Sequence, residues 1–259
     1  MKTLSALLLQ LLKRDLSVLS KEYASTLFNT GLLFFTNVVV FSYFMGKQGL
    51  SQKYGPFLMI GAISSFGLFQ VINKVSKFIG DIEGDKTICF LVILPLSSTA
   101  LFCYMAVYWA LHSALFSFPL FIFGKILLFT RFDLTAVSYW RLLLIYLSSN
   151  LFYGFFALWL SGVIKGLGDL STIFLRYINP IFMFGAYFYS WKDVFALDHL
   201  IGYLLLLNPM VYIMEGMRSA ALGPTPYLPF WICPLVLWSF IFLFGKNGIR
   251  RLKRRIDCL

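Results

Sequence analysis

Thr26–Met45 reads TLFNTGLLFFTNVVVFSYFM and holds no charged residue. A helix in a soluble core keeps one polar face; this run keeps none, so it needs surroundings that accept apolar side chains on every side. It is 20 residues long, which at about 1.5 Å per residue matches the roughly 30 Å hydrocarbon core of a bilayer. Tyr227–Phe244, YLPFWICPLVLWSFIFLF, is a second run of this kind. Together they place the chain in a membrane and direct the search for function to what crosses it or assembles within it.

The remainder of the sequence carries the same bias. Of 259 residues, 59% are hydrophobic and 13% charged, where a soluble domain carries about a quarter charged. Apolar periodicity and polar interruptions predict an all-α membrane protein with six transmembrane helices: Thr26–Met45, Phe57–Ile72, Ser97–Phe123, Tyr139–Leu160, Thr172–Tyr189 and Tyr227–Phe244. Ahead of them, residues 1–25 read as a retained interfacial helix rather than a signal peptide. Leu4, Leu7, Leu8, Leu11 and Leu12 recur at helical spacing, Lys13, Arg14 and Lys21 mark a polar end, and no small-residue cleavage site follows. The expectation is one domain over 1–259, with the spans inside 26–246 and a basic tail at 247–259.

The net charge is +11. In a membrane protein this points to anionic headgroups rather than nucleic acid. With six spans and both termini cytoplasmic, 15 of the 22 Lys and Arg residues fall on the cytoplasmic side and 7 outside, as the positive-inside bias requires. The expected localisation is a bacterial inner (plasma) membrane, with both termini cytoplasmic. Aromatic residues reach 19%, and many, such as Tyr43, Tyr139, Trp140 and Trp231, sit at span ends where an interfacial belt belongs.

Covalent chemistry finds little support. The four cysteines show no CxxC spacing, although Cys258 beside the basic tail is open to acylation; His112 and His199 stand alone, and no metal site is expected. There is no GxxxxGK[ST] loop to cradle a nucleotide. The spans also lack acidic residues near their centres, where ion-driven carriers keep ionisable sites. An energy source outside the chain fits better.

Two segments break the apolar pattern. Asn73–Ser98 crowds Lys74, Lys77, Asp81, Glu83, Asp85 and Lys86 into its first half. These charges belong at the membrane surface, with Gly80 and Gly84 permitting turns and Pro95 breaking the chain before the next span. Such a segment reads either as a solvated loop or as a short surface helix that docks a soluble partner. The second segment, Phe182–Pro226, follows Asn179-Pro180 and contains Asn208-Pro209, two breaks in the apolar pattern. Its run HLIGYLLLL is too short to cross a bilayer, and Glu215 and Arg218 stand at i,i+3, the spacing of a pair on one helical face. A re-entrant helical hairpin that shapes an exit, or an anchored loop, fits this pattern.

The arrangement resembles the membrane subunit of an ABC-2 type exporter, the permease family that moves polysaccharides and drugs. Two motifs carry the resemblance. GDIEGDKTICFLVILPLSS at Gly80–Ser98 supplies Glu83, Gly84, Pro95, Leu96 and Ser97; LNPMVYIMEGMRSAALG at Leu207–Gly223 supplies Asn208, Pro209, Glu215 and Arg218. The first departs from the family pattern in reading DKTICF after its glycine. The resemblance implies a homodimer or a pair with a sister permease, surrounded by membrane lipids, with two copies of an ABC ATPase docked below. ATP and magnesium would be bound by the ATPase, not by this chain. Docking would involve Lys77, Asp81, Glu83, Gly84, Asp85 and Lys86; the gate would be the hairpin around Asn208, Pro209, Glu215 and Arg218. Two other readings compete: a self-contained insertase or ion-driven carrier, and a lipid-modifying enzyme built on the Asp81–Asp85 cluster.

Overall fold

The first long helix, α1 (Lys2–Val39), runs on without a break into a π turn at Val40–Phe44. The interfacial helix and first span expected as separate elements are therefore one rod. The sequence explains this: there is no proline between Lys2 and Val39, and the first glycine is Gly31, so nothing interrupts the i→i−4 ladder at the polar patch. The computed structural model describes residues 2–44, 54–84, 86–93, 95–129 and 131–256.

Helix α2 (Tyr54–Glu83) overruns its expected end in the same way, through Asn73 and the charged residues after it. Val75, Phe78, Ile79 and Ile82 continue the helical spacing and are buried, so the apolar stripe persists while the charges lie on other faces. Gly80, expected in a turn, lies inside the helix; Gly84 follows its end. Next come the short α3 (Thr87–Val92), then α4 (Ser98–Leu128) and α5 (Tyr139–Val163). In the loop between α4 and α5, Asp133 accepts from the Thr135 N–H and hydroxyl, both at 2.8 Å. The N–H contact, with the hydroxyl behind it, holds this exposed carboxyl below its usual range.

The fifth span, expected over Thr172–Tyr189, is a shorter run: α6 (Leu170–Ile173), a π turn at Phe174–Ile178 and α7 (Asn179–Met183). Pro180 lacks the N–H that an α-helical ladder needs, and the wide turn just before it takes up the defect. The helical backbone is thus widened at Asn179-Pro180, not broken. Asn208-Pro209 does mark a break. Helices α8 (Trp191–Leu197) and α9 (His199–Leu205) precede it and α10 (Pro209–Leu222) follows; α9 and α10 meet at 94°. The last helix, α11 (Ile232–Ile256), carries the final span directly into the basic tail.

Among the described residues five helices, α1, α2, α4, α5 and α11, are long and apolar enough to cross a membrane, and the number rises to six if the bent α9–α10 pair counts as one span. This is the architecture of an integral membrane protein. Within the most apolar stretch of each helix, 67% of α2 and 61% of α5 is buried against 22% of α1, so α2 and α5 form the centre and the others surround them. Close approach at the centre depends on small residues. A methyl group on Gly154 of α5 would run into the backbone of Ala106 on α4, and one on Gly67 of α2 into the ring of Tyr153. Tyrosine hydroxyls tie the same helices: Tyr153 donates to the Ser64 carbonyl at 2.6 Å, and Tyr146 to that of Ala114 at 2.5 Å.

Contacts along the rods fix which ends lie together. Tyr104 reaches Asp15 (2.7 Å) and Tyr43 reaches the Leu127 carbonyl (2.6 Å), so α1 and α4 run parallel. Arg255 donates to the carbonyls of Ser161 (2.9 Å) and Lys165 (2.8 Å), which joins the C-terminal ends of α5 and α11. Glu83 at the end of α2 lies beside Gly166. One end of the bundle therefore gathers Lys77, Lys86, Lys165 and the basic residues of α11. The opposite end gathers Arg131, bound to the Ser42 carbonyl, and Tyr54, bound to that of Phe188.

Candidate functional site

At the basic end, Asp81 organises the turn between α2 and α3. Its carboxylate accepts from the N–H groups of Thr87 (3.1 Å) and Ile88 (2.8 Å) and from the Thr87 hydroxyl. This satisfies the free donors at the start of α3 and locks the short helix to the end of α2. Lys86 takes the left-handed region, φ 52°, with its N–H on the Asp81 carbonyl at 2.7 Å. Beyond this turn Phe90 is 72% exposed and Ile93 79% exposed, two apolar knobs on a charged end. Glu83, Gly84 and Lys86 are exposed around them. Lys77, also exposed, lies a turn earlier on α2 and lines a groove, and Asp85 lies outside the described residues.

That groove, of about 320 Å³, runs between α1, α2, α3 and α4. Glu22, Lys74, Lys77, Tyr108 and His112 give it a polar wall. Read from the sequence, Lys74 and Lys77 are surface charges and His112 stands alone. Lys77 is indeed exposed, whereas Lys74 is half-buried; Val75, Phe78, Ile79 and Ile82 require the helix to continue and so draw Lys74 in against the side of the bundle.

At the opposite end, α10 carries the two most deeply buried charges among the described residues. Glu215 and Arg218 are both 0% exposed, but they do not pair: among the described residues the one ion pair is Arg14–Asp15. Each instead grips backbone. Arg218 donates to the carbonyls of Ala186 (2.5 Å), Tyr187 (2.6 Å), Tyr189 (3.3 Å) and Phe57 (3.4 Å), with its guanidinium 3.4 Å from the centre of the Phe57 ring. Glu215 accepts from the N–H groups of Trp191 and Leu228, both at 3.1 Å. The i,i+3 spacing would allow the two residues to pair, but polar backbone arriving from other segments satisfies each one instead.

The Arg218 fork also holds the loop that follows α7. Ala186 sits at φ 62°, a region costing an L-residue about 1 kcal/mol or more, and its carbonyl is one of the four that Arg218 binds. Asn208 works at the bend itself. Its Oδ1 accepts from the Met210 N–H at 2.9 Å and its Nδ2 donates to the Ile181 carbonyl at 2.8 Å. Pro209 begins α10, where its missing N–H costs nothing. Of the four residues expected at a gate, Asn208, Glu215 and Arg218 thus form a clamp that fastens α10 to α2, to α7 and the loop after it, to the start of α8 and to the segment before α11. Comparison of the chain with protein-family models and with curated proteins finds no match.

Proposed function

We propose that this chain is the membrane subunit of an ATP-driven ABC-2 type exporter, which moves an amphipathic or lipid-linked substrate out of the cytoplasm or its inner leaflet. The observation that carries the reading is the Asp81-capped turn. It presents a short helix, with exposed Phe90 on it and exposed Ile93 just past its end, at the basic end of the bundle, where a soluble ATPase would meet it. The basic end is then cytoplasmic, as are both termini. The bent α9–α10 pair is the re-entrant hairpin on the outer side, anchored by Glu215 and Arg218, and its clamp moves with α2 when the ATPase pair closes. ATP and magnesium belong to the two ATPase copies, and the chain works as a dimer or beside a sister permease. Neither buried charge of α10 is free for covalent chemistry, which suits a transport role.

The test is reconstitution with an ABC ATPase that co-purifies with this chain. Transport should require ATP and should fall when Phe90 and Ile93 are both changed to Asp. Uphill transport by vesicles that hold this chain alone defeats the proposal. That result is the mark of the second reading, a self-contained insertase or ion-driven carrier, which draws on the charged groove containing Glu22, Lys74 and His112.

A further inference from the structure

The groove between α1, α2, α3 and α4 has an apolar floor, made by Leu19, Phe78, Ile88, Leu91, Met105 and Trp109, beneath its charged wall. Lys74 and Lys77 stand at i,i+3 on α2 and both face the groove. Among the described residues neither makes an ion pair. The nearby Asp81 carboxylate is occupied by Thr87 and Ile88, and Glu22 is the other acid on the wall. The Lys74 ammonium lies 6.0 Å from the centre of the Tyr108 ring, a contact that keeps it inside the groove. Deeper in, Nδ1 of His112 is buried without a hydrogen-bond partner, midway along α4. Buried polar atoms are normally satisfied; the wall carries two cations and two acids, but Asp81 is spent on the start of α3, which leaves both lysines, among the described residues, without an ion-pair partner over a greasy surface.

We infer that this groove binds an amphipath through a phosphate headgroup. Lys74 and Lys77 contact the phosphate oxygens, His112 Nδ1 takes a hydrogen bond from or gives one to the headgroup according to its tautomer, and the tail lies on the Leu19–Trp109 floor. Charge-assisted contacts of an ammonium to a phosphate are the strong kind, and the tail adds burial of apolar area. The inference does not depend on the exporter reading, because the groove is complete within one chain and needs no ATPase.

The experiment is native mass spectrometry of the detergent-purified full chain, titrated separately with phosphatidic acid, diacylglycerol, oleate and inorganic phosphate. Phosphatidic acid should stay bound at concentrations where diacylglycerol and oleate do not. Changing Lys74 and Lys77 together to Gln should weaken it about tenfold or more, since a single charge-assisted hydrogen bond to the headgroup is worth about that factor. The double change to Arg should retain binding, and K253Q/R254Q at the end of α11 should leave it intact. Equal retention of diacylglycerol or oleate, or unchanged binding in the Gln variant, overturns the inference. Inorganic phosphate bound as tightly as phosphatidic acid also overturns it, because the site is then one for a soluble anion. If the Gln variant fails to fold, M105W, which fills the floor without touching a charge, gives the same reading: it should weaken phosphatidic acid while leaving the fold's melting profile in place.

Discussion

Arg218 and Lys74 are both cations drawn in among apolar helices, but the fold treats them in opposite ways. Four carbonyls and an aromatic face surround Arg218, and it is fully buried. Lys74 has a distant ring and a groove. A guanidinium presents five donors in a planar fork, so it can knit several backbone segments together; an ammonium is a compact charge that seeks one strong acceptor. The difference separates a charge used to hold structure from a charge left available for a ligand, and substitution should tell the two apart.

The largest effect is expected at Arg218. R218M strands the carbonyls of Ala186 and Tyr187 in an apolar interior, and leaving two or more such groups unsatisfied destabilises by about 4 kcal/mol. The midpoint of unfolding under SDS titration should fall sharply, and R218K, which keeps charge but not the fork, should lie between the two. A wild-type midpoint for R218M would erase the contrast with Lys74. Glu215 comes next. E215Q keeps one acceptor and turns an NH2 group toward either the Trp191 or the Leu228 N–H, leaving that donor unsatisfied at a cost of about 2 kcal/mol. If Glu215 and Arg218 acted as an ion pair instead, the double variant R218M/E215Q would be more stable than R218M alone; independent backbone clamps predict that the two effects add.

These residues also show where the sequence is readable. The long helices follow from apolar runs because a bilayer imposes their length and composition. The end of α2 is hard to place because charge density masks the Val75–Phe78–Ile79–Ile82 stripe, which is the better guide to helix continuation. Glu215 and Arg218 stand out by type and spacing, but their partners do not. The carbonyls and N–H groups that satisfy them come from 184–191 and from Leu228 and Phe57, and no i,i+n rule reports which backbone will arrive. The groove is invisible for a related reason: four separate helices supply its walls, and each lysine taken alone looks like a surface charge.

Asn208 tests the bend with a smaller change. N208A removes the cap on Met210 and the tie to Ile181, at a cost of about 1 kcal/mol, and should loosen the bend between α9 and α10 without unfolding the bundle. Faster hydrogen exchange confined to the first turn of α10, beside unchanged exchange in α2 and α5, is the expected pattern. Uniformly faster exchange would mean that the bend is part of the central packing rather than a separately fastened element.

The smallest stability effect belongs to the other side of the comparison. K74Q/K77Q removes two charges that no carboxylate partners among the described residues, so unfolding should shift by no more than about 0.5 kcal/mol, the range of changes that break no specific interaction. The measurement must be made on protein stripped of lipid, because a ligand bound to the folded state raises stability by mass action. In lipid-free detergent the variant and wild type should therefore coincide, and added phosphatidic acid should raise the wild-type midpoint alone. A large drop in lipid-free detergent would place Lys74 with Arg218 as a structural charge, and the two cations would no longer differ in kind.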